Sequence, residues 1–362
     1  MQSLAAPRIL VIRRDNIGDL VCTTPLIHAL RQHYPTATIT ALVNSYNAPV
    51  LANNPDIDAV FAYTKAKHRP PGTSVLKVYW DRLRLFARLR KFHFDYAILA
   101  APGFQPRLLR LARFAGAKHV LGFIEPGKLA ASAIDHGVPY EADKPQHEAE
   151  TVFQLLAPLG IKGPPPAAQV FPQADEVARA TDALHSAIPI QPPLLIGIHI
   201  SARKPSQRWP VQNFAALMKR LHEEHKAAFM LFWSPGEAGN PLHPGDDAKA
   251  QEIMAATAGI PVLAYPTHNL GQLVAGLSLC DRVICGDGGA MHLAAGLGKP
   301  ILCFFGKSDA TRWHPWGVPY VVLQPPSLDV ANLTVEEALN GFMKLVWSNT
   351  GYLNEISACR LG

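Results

Sequence analysis

Asp19 ends the segment Arg13-Arg14-Asp15-Asn16-Ile17-Gly18-Asp19, where an apolar strand pattern (Arg8-Ile-Leu-Val-Ile12) gives way to a helical one. Two roles are open to a carboxylate in that place. As an acid in the first helical turn it stabilises the helix by roughly 0.5–2 kcal/mol. Facing a ligand, it is available as a general base. A second loop, Ser201-Ala-Arg203-Lys204-Pro-Ser-Gln-Arg208-Trp209-Pro210, gathers three cations and two hydroxyls after another apolar run. Cations, hydroxyls and free N–H groups converging on one point are what a phosphate requires, with solvated loop charge as the alternative. The sharpest local pattern is Cys285-Gly286-Asp287-Gly288-Gly289-Ala290-Met291-His292. Its glycines let backbone come close to a ligand, and the helix that follows points free N–H groups and a positive dipole end at whatever lies there, which favours a diphosphate. His292 either touches such a group or serves as a core or capping histidine. The pattern is not G-x-G-x-x-G, which disfavours a nicotinamide dinucleotide. Asp246 and Asp247 follow a Gly-Pro-rich loop and are candidates for ribose hydroxyls or for turn and helix-cap positions.

A further group of residues is basic. Lys65 to Lys91 holds nine Lys or Arg, including Lys65, Lys67, Arg69, Arg84 and Arg88, against the single acid Asp81. Residues 1–185 carry 21 Lys+Arg and 15 Asp+Glu, whereas residues 186–362 carry 13 of each, so the whole net charge of +6 sits in the first half. A basic half beside a neutral one points to an anionic partner, with a solvated helix face as the alternative. At about 100° per residue, Leu76, Tyr79, Leu83 and Phe86 share one face and Lys77, Arg84, Arg88 and Lys91 an adjoining one. Such a stripe suits phosphate-bearing lipid or an anionic acceptor. No nucleic-acid motif is present.

The elements that must hold these loops alternate along the chain. Strands are expected at 8–12, 38–43, 59–63, 95–100, 119–123 and 134–138, with helices near 19–33, 75–92, 105–115 and 146–159. A second series follows, with strands at 194–200, 227–233, 261–265, 282–286, 300–305 and 320–323, and helices near 211–225, 247–257, 269–279 and 289–297. Continuous apolar strands separated by helices mean parallel sheets covered on both faces. The expected organisation is an α/β domain over 1–165, a Pro-rich linker over 166–193, a second α/β domain over 194–333, and a terminal helix within 334–362 that packs back on the first domain. Thr334 with Glu337 three residues on is a capping-box pattern for that helix.

About 48% of residues are apolar and 17% charged, enough to bury a sizeable core. No apolar run approaches the ~18–20 residues of a bilayer-spanning helix. The strand pattern begins almost at the start, so no secretory signal is expected. Cys22, Cys280, Cys285, Cys303 and Cys359 show neither zinc spacing nor a disulfide framework, which fits a reducing cytosol.

Four segments taken together resemble the bacterial heptosyltransferases of glycosyltransferase family 9, which build the lipopolysaccharide core. They are ILVIRRDNIGDLVCTTPLIHALR, HEAETVFQLLAPLG at 147–160, GIHISARKPSQRWPVQNFAAL at 197–217, and GDGGAMHLAAGLGKPILCFFGKSDATRWHPWG at 286–317. The resemblance extends from about residue 8 to 345 and implies a GT-B fold, two facing Rossmann-like doubly wound domains, acceptor on the first and nucleotide sugar on the second. It implies inverting transfer of heptose from ADP-heptose to a sugar hydroxyl, with no metal and no further cofactor. Asp19 matches the family's general base, and Asp287, Gly288, Gly289 and His292 its donor-phosphate loop. Ser201 and Arg208 fall in its phosphate-facing loop, and Asp246 or Asp247 where it contacts the donor ribose. Gln207 stands where the family often has Lys, and Lys204 or Arg203 is the candidate to supply that charge. On this reading Lys65, Lys67 and Arg69 meet acceptor phosphates or Kdo carboxylates, and the protein works in the cytoplasm, peripheral to the inner membrane. A transferase for another nucleotide sugar and a silent nucleotide-binding module are the rival readings.

Overall fold

A computed structural model describes residues 6–63, 75–125, 133–237, 239, 245–347 and 354–358. Lys65, Lys67, Arg69 and Cys359 lie outside them. The chain divides into two compact units, Met1–Gln169 and Val170–Gly362.

The first unit runs β1 (Arg8–Ile12), α1 (Ile17–Val21), α2 (Thr24–His33), β2 (Thr38–Asn44), β3 (Ala59–Tyr63), α3 (Val75–Arg90), β4 (Tyr96–Leu99), α4 (Pro106–Ala115), β5 (His119–Ile124), β6 (His136–Pro139) and α5 (Glu148–Phe153). Its six strands pair in the order β3-β2-β1-β4-β5-β6, all parallel. The chain builds outward from β1 to one edge, then returns to β1's other side to lay down β4. That reversal opens a crevice at the carboxyl ends of β1 and β4, the place where ligands bind in such sheets. Ile9 to Ile12 are fully buried because both faces of the sheet are covered.

One helix was expected over 19–33, and two are found. Pro25 has no N–H to give the Val21 carbonyl, and its ring crowds that carbonyl, so α1 stops. The hydroxyls of Thr23 and Thr24 satisfy the freed groups, donating to the Asp19 carbonyl (2.8 Å) and the Val21 carbonyl (2.7 Å). Helix α3 is also turned from its expected orientation. Leu83 is 62% exposed, while Leu89 is fully buried and Leu85 and Phe86 pack on the core.

The second unit runs α6 (Ala174–Ala187), β7 (Leu195–His199), α7 (Val211–His225), β8 (Ala228–Trp233), α8 (Asp247–Ala256), β9 (Val262–Pro266), α9 (Leu270–Leu279), β10 (Arg282–Gly286), α10 (Gly289–Gly296), β11 (Ile301–Phe304), α11 (Ala310–Trp313), β12 (Tyr320–Gln324), α12 (Val335–Trp347) and β13 (Asn354–Ala358). Its parallel sheet has the order β13-β12-β11-β10-β7-β8-β9. Here the reversal falls between β7 and β10, which places the Ser201 and Asp287 loops side by side.

One expectation about organisation is corrected. The 166–193 segment is not a linker throughout: its prolines bracket helix α6, which packs on α9 and β9. The terminal helix α12 packs on β11, β12 and α7, with Leu339, Phe342 and Leu345 in the second unit's core. Its capping box is formed as expected, Thr334 N donating to Glu337 Oε2 (2.8 Å) and Glu337 N to Thr334 Oγ1 (3.2 Å).

Among the described residues no helix is long and apolar enough to cross a membrane. Cys22, Cys280, Cys285 and Cys303 are buried. Phe342 is fully buried in the second unit's core. Phe342→Ala should lower the unfolding free energy by about 3–5 kcal/mol, read from denaturant unfolding curves; a change below 1 kcal/mol would remove α12 from that core.

Candidate active site

In the first unit the site begins with Arg13, the first residue past β1. Its backbone N–H donates to the Leu42 carbonyl (3.2 Å), which carries the strand direction one residue further. The side chain is 1% exposed and reaches across the strand-order reversal, Nη1 donating to the Ala100 carbonyl (2.6 Å) beyond β4. Nη2 donates to two carboxylates at once, Asp19 Oδ1 and Glu148 Oε1, each at 2.7 Å. Asp15 Oδ2 stands 3.4 Å from Nε. Burial works against the guanidinium's charge, but Glu148, Asp19 and Asp15 outweigh it and hold Arg13 above its ordinary range, so the cation persists at every working pH.

Asp19 takes the helix role and keeps part of its carboxylate exposed. Its Oδ2 accepts the Asn16 backbone N–H (2.8 Å), closing a capping box at the start of α1. Its side chain is also 13% exposed, and a carboxylate has lone pairs beyond the two used here. The loop beneath is held by the buried Asn44, which ends β2, and Asn47 just after it: Asn44 Nδ2 donates to the Arg14 carbonyl, and Asn47 Nδ2 to the Asp15 carbonyl (3.0 Å). Glu148 is 0% exposed and opens α5, whose positive end favours its charge. His147 caps that helix, Nδ1 accepting the Ala149 N–H (3.1 Å), while Glu150 Oε2 accepts the His147 N–H (3.0 Å). Burial, with Glu148 and Asp19 adding to it, pushes the neighbouring Cys22 thiol well up, so it stays protonated.

In the second unit three strand-end loops are drawn together. Gln207 Nε2 donates to Asp287 Oδ2 (2.8 Å) and to Ser308 Oγ (3.1 Å), tying the loops after β7, β10 and β11. Gln324 Nε2 donates to the Gly306 and Ser308 carbonyls (2.7 and 2.9 Å). Gly306 lies so close to the Ser206 carbonyl that a Cβ there would sit 2.5 Å from its oxygen. Gly288 has φ 157° and ψ −168°, a conformation almost confined to glycine, and it turns the chain into α10. The Asp287 backbone N–H donates to the Phe304 carbonyl (2.9 Å). His292 is buried and packs edge-on to Trp313.

The remaining expected residues fall nearby but differ in availability. Lys204 and Arg203 are exposed. Arg208 donates to the Ala202 carbonyl (2.9 Å) and pairs with Asp246 Oδ1 (3.1 Å), so the buried Asp246 holds the loop's cation. Ser201 Oγ accepts the Ser234 N–H (2.9 Å), joining the loops after β7 and β8. Asp247 accepts from Trp233 Nε1 (2.6 Å) and the Gly236 N–H (2.9 Å), bonds that keep it below the usual carboxylate range. Behind the loop, Lys249 Nζ donates to the Ile200 carbonyl (3.1 Å) and lies over the Phe214 ring. Among the described residues no three His, Cys, Asp or Glu side chains are grouped to hold a metal ion.

Sequence reasoning did not single out Arg13, Glu148, Asn44, Asn47 or Lys249. The one local signal was charge placed where a buried element starts or ends: Arg13 directly after an apolar strand, and Glu148 inside the His-Glu-Ala-Glu helix start.

Two parallel, doubly wound units with polar groups gathered at each strand-order reversal define an α/β protein of the GT-B type. The family model of glycosyltransferase family 9 (heptosyltransferase) matches residues 82–337, and the chain belongs to this family of glycosyltransferases. It is 24% identical over 308 residues to lipopolysaccharide heptosyltransferase 2 of Salmonella typhimurium strain LT2, covering 83% of each chain. It is 25% identical over 309 residues to lipopolysaccharide heptosyltransferase 3 of Escherichia coli K12, covering 83% of this chain and 82% of the relative. Among solved structures, the glycosyl transferase family 9 protein of Veillonella parvula superposes with a TM-score of 0.79 at 20% identity, covering 94% of this chain and 97% of the other. E. coli heptosyltransferase WaaC with ADP superposes with a TM-score of 0.71 at 18% identity, covering 93% and 99%.

Burial pulls Lys249 down to about 8 from the ordinary 10.5; Asp246 opposes the shift and Arg208 adds to it. Below about 8 folded and unfolded chains both hold this proton; between about 8 and 10.5 only the unfolded chain does. Unfolding then takes up a proton, so the Lys249 contribution to stability grows as pH rises through that window. Lys249→Met should remove that rise from the pH dependence of denaturant unfolding; an unchanged profile would show that Lys249 is not the group responsible.

Proposed function

We propose that this protein transfers a heptose from ADP-heptose to a hydroxyl of a lipopolysaccharide inner-core sugar, with inversion and without a metal. The observation that carries the reading is Asp19: a partly exposed carboxylate at the carboxyl end of β1, held by Arg13 and the Asn16 N–H. Family membership and the similarity to heptosyltransferases supply the substrate class.

In this mechanism Asp19 takes the proton of the acceptor hydroxyl as that oxygen bonds to the anomeric carbon. The bond from that carbon to the donor's diphosphate oxygen breaks, and its electron pair leaves with the nucleotide diphosphate. The growing negative charge is met by N–H groups at the Gly288–Gly289 start of α10 and by Arg208 and Lys204. Asp287, held on Gln207, and Ser201 keep the loops that carry these groups in place, and His292 lies in the first turn of α10 against Trp313. Asp246 serves the donor by fixing Arg208, and Asp247 by fixing the loop after β8. Lys65, Lys67 and Arg69 recognise acceptor anions, and the basic half lies against the cytoplasmic face of an anionic membrane.

Gln207 favours a second reading. A neutral amide stands where the family often has Lys, and it is engaged with Asp287 and Ser308 rather than free to meet a phosphate. A nucleotide sugar other than ADP-heptose fits that change. Thermal-shift titration against a panel of nucleotide sugars separates the two readings: preferential stabilisation by ADP-heptose supports the first, and by another nucleotide sugar the second.

Asp19→Ala should reduce kcat by about 10²–10⁴-fold, the usual worth of general-base help, and leave donor affinity nearly unchanged in calorimetry. Turnover close to wild type would take the base role away from Asp19, and activity abolished by a chelator would contradict metal-free transfer. Reversing the charges of Lys65, Lys67 and Arg69 should raise the acceptor KM and leave the donor KM close to wild type. Equal effects on both substrates would refute acceptor recognition by these side chains.

A further inference from the structure

Glu148 is placed oddly for a residue with only a folding role. Its carboxylate is 0% exposed, yet it comes from a helix start 135 positions away to share one nitrogen of Arg13 with Asp19. A fully buried carboxylate costs several kcal/mol to desolvate unless paired and hydrogen-bonded, and burying such a pair often adds nothing to stability compared with apolar packing. The pairing therefore asks for a reason beyond stability.

The reason lies in what Arg13 does to Asp19. A lone guanidinium 2.7 Å from Asp19 holds that carboxylate in position and also stabilises its charge, which opposes proton uptake during the reaction. A base must be held without being weakened. Glu148, on the same guanidinium nitrogen, supplies a second negative charge that offsets the cation while leaving its hydrogen bond to Asp19 intact. Arg13, past the end of β1, contacts Asp19 directly, Asp15 on the loop and Glu148 on α5 share that guanidinium, and Cys22 at the end of α1 feels the charge of Asp19, Glu148 and Arg13. Cys22 stays protonated and Asp15 is 43% exposed, so solvent screens it. Glu148, beyond the reach of solvent, is the acid whose charge acts undiminished.

We propose that Glu148 is a positioning residue that works through Arg13, fixing the guanidinium that orients Asp19 and offsetting its charge so that Asp19 can accept a proton. The inference rests on Asp19 acting as the base.

The test is the pH profile of kcat for the full-length enzyme and the variants E148Q, R13Q, R13Q/E148Q and D19N, each checked by a thermal melt. Glu148→Gln leaves the Arg13 cation without its offset, so the acid limb should move to lower pH and the plateau should fall, by up to about 10²-fold where orientation is also lost. Arg13→Gln leaves the Glu148 charge without its partner, so the limb should move to higher pH. In R13Q/E148Q the two displacements should largely cancel. If E148Q does not fold, the comparison is made on the R13Q background, where adding E148Q must bring the limb down. A limb unmoved by loss of Glu148, in an enzyme inactivated by D19N, overturns the role of Glu148 and leaves Asp19 as base. Near-normal turnover of D19N overturns the base assignment itself, and this inference with it.

Discussion

A parallel sheet sends every strand's carboxyl end to the same edge, and it leaves one opening there, where the order of laying down strands reverses. The chemistry proposed for this chain depends on that constraint twice. In the first unit the opening lies between β1 and β4, and Arg13 spans it from the end of one strand to the carbonyl beyond the other. In the second it lies between β7 and β10, and Gln207 spans it to reach Asp287. In both cases a side chain from one strand-end loop joins its neighbour, so the loops are held by bonds among themselves as well as by the strands below.

The two bridges differ in charge. The first is ionic and buried, with one guanidinium serving several carboxylates. The second is a neutral amide on a carboxylate, and the cation next to it, Arg208, is paired with the buried Asp246. An ionic bridge places charge beside what it holds, and proton uptake responds to nearby charge. A neutral bridge fixes geometry with less electrostatic effect. This division suits the base proposed for the first unit and the diphosphate-binding loop proposed for the second, where Lys204 and Arg203 are exposed.

The elements were legible where burial was two-sided. Runs such as Leu195–His199 and Ala228–Trp233 are apolar throughout, because helices cover both faces of a parallel sheet. Legibility failed where a local signal had two meanings. The prolines around 164–166 and 189–193 read as a linker, yet they bound α6 on both sides without entering it. Strand β13 escaped notice because it is short and pairs with β12 at the edge of the sheet, and its one large apolar residue, Ile356, is 43% exposed. Pro25 splits α1 from α2, a break hidden inside a pattern whose apolar spacing runs on through it.

By itself the sequence determined two doubly wound units, the loops that carry polar groups, and the candidacy of Asp19, Asp287 and Gly288, because strand and turn signals are local and phosphate-binding loops are short. It did not determine which partner each charge would take. Glu148 reads as the first acid of a helix, and only the fold shows it closed from water against an arginine far away in the chain. Asp246 and Asp247 read as equivalent neighbours, and only the fold sends one to Arg208 and the other to Trp233. Pairings of this kind depend on distance and exclusion of solvent, which come into being only when remote segments pack together.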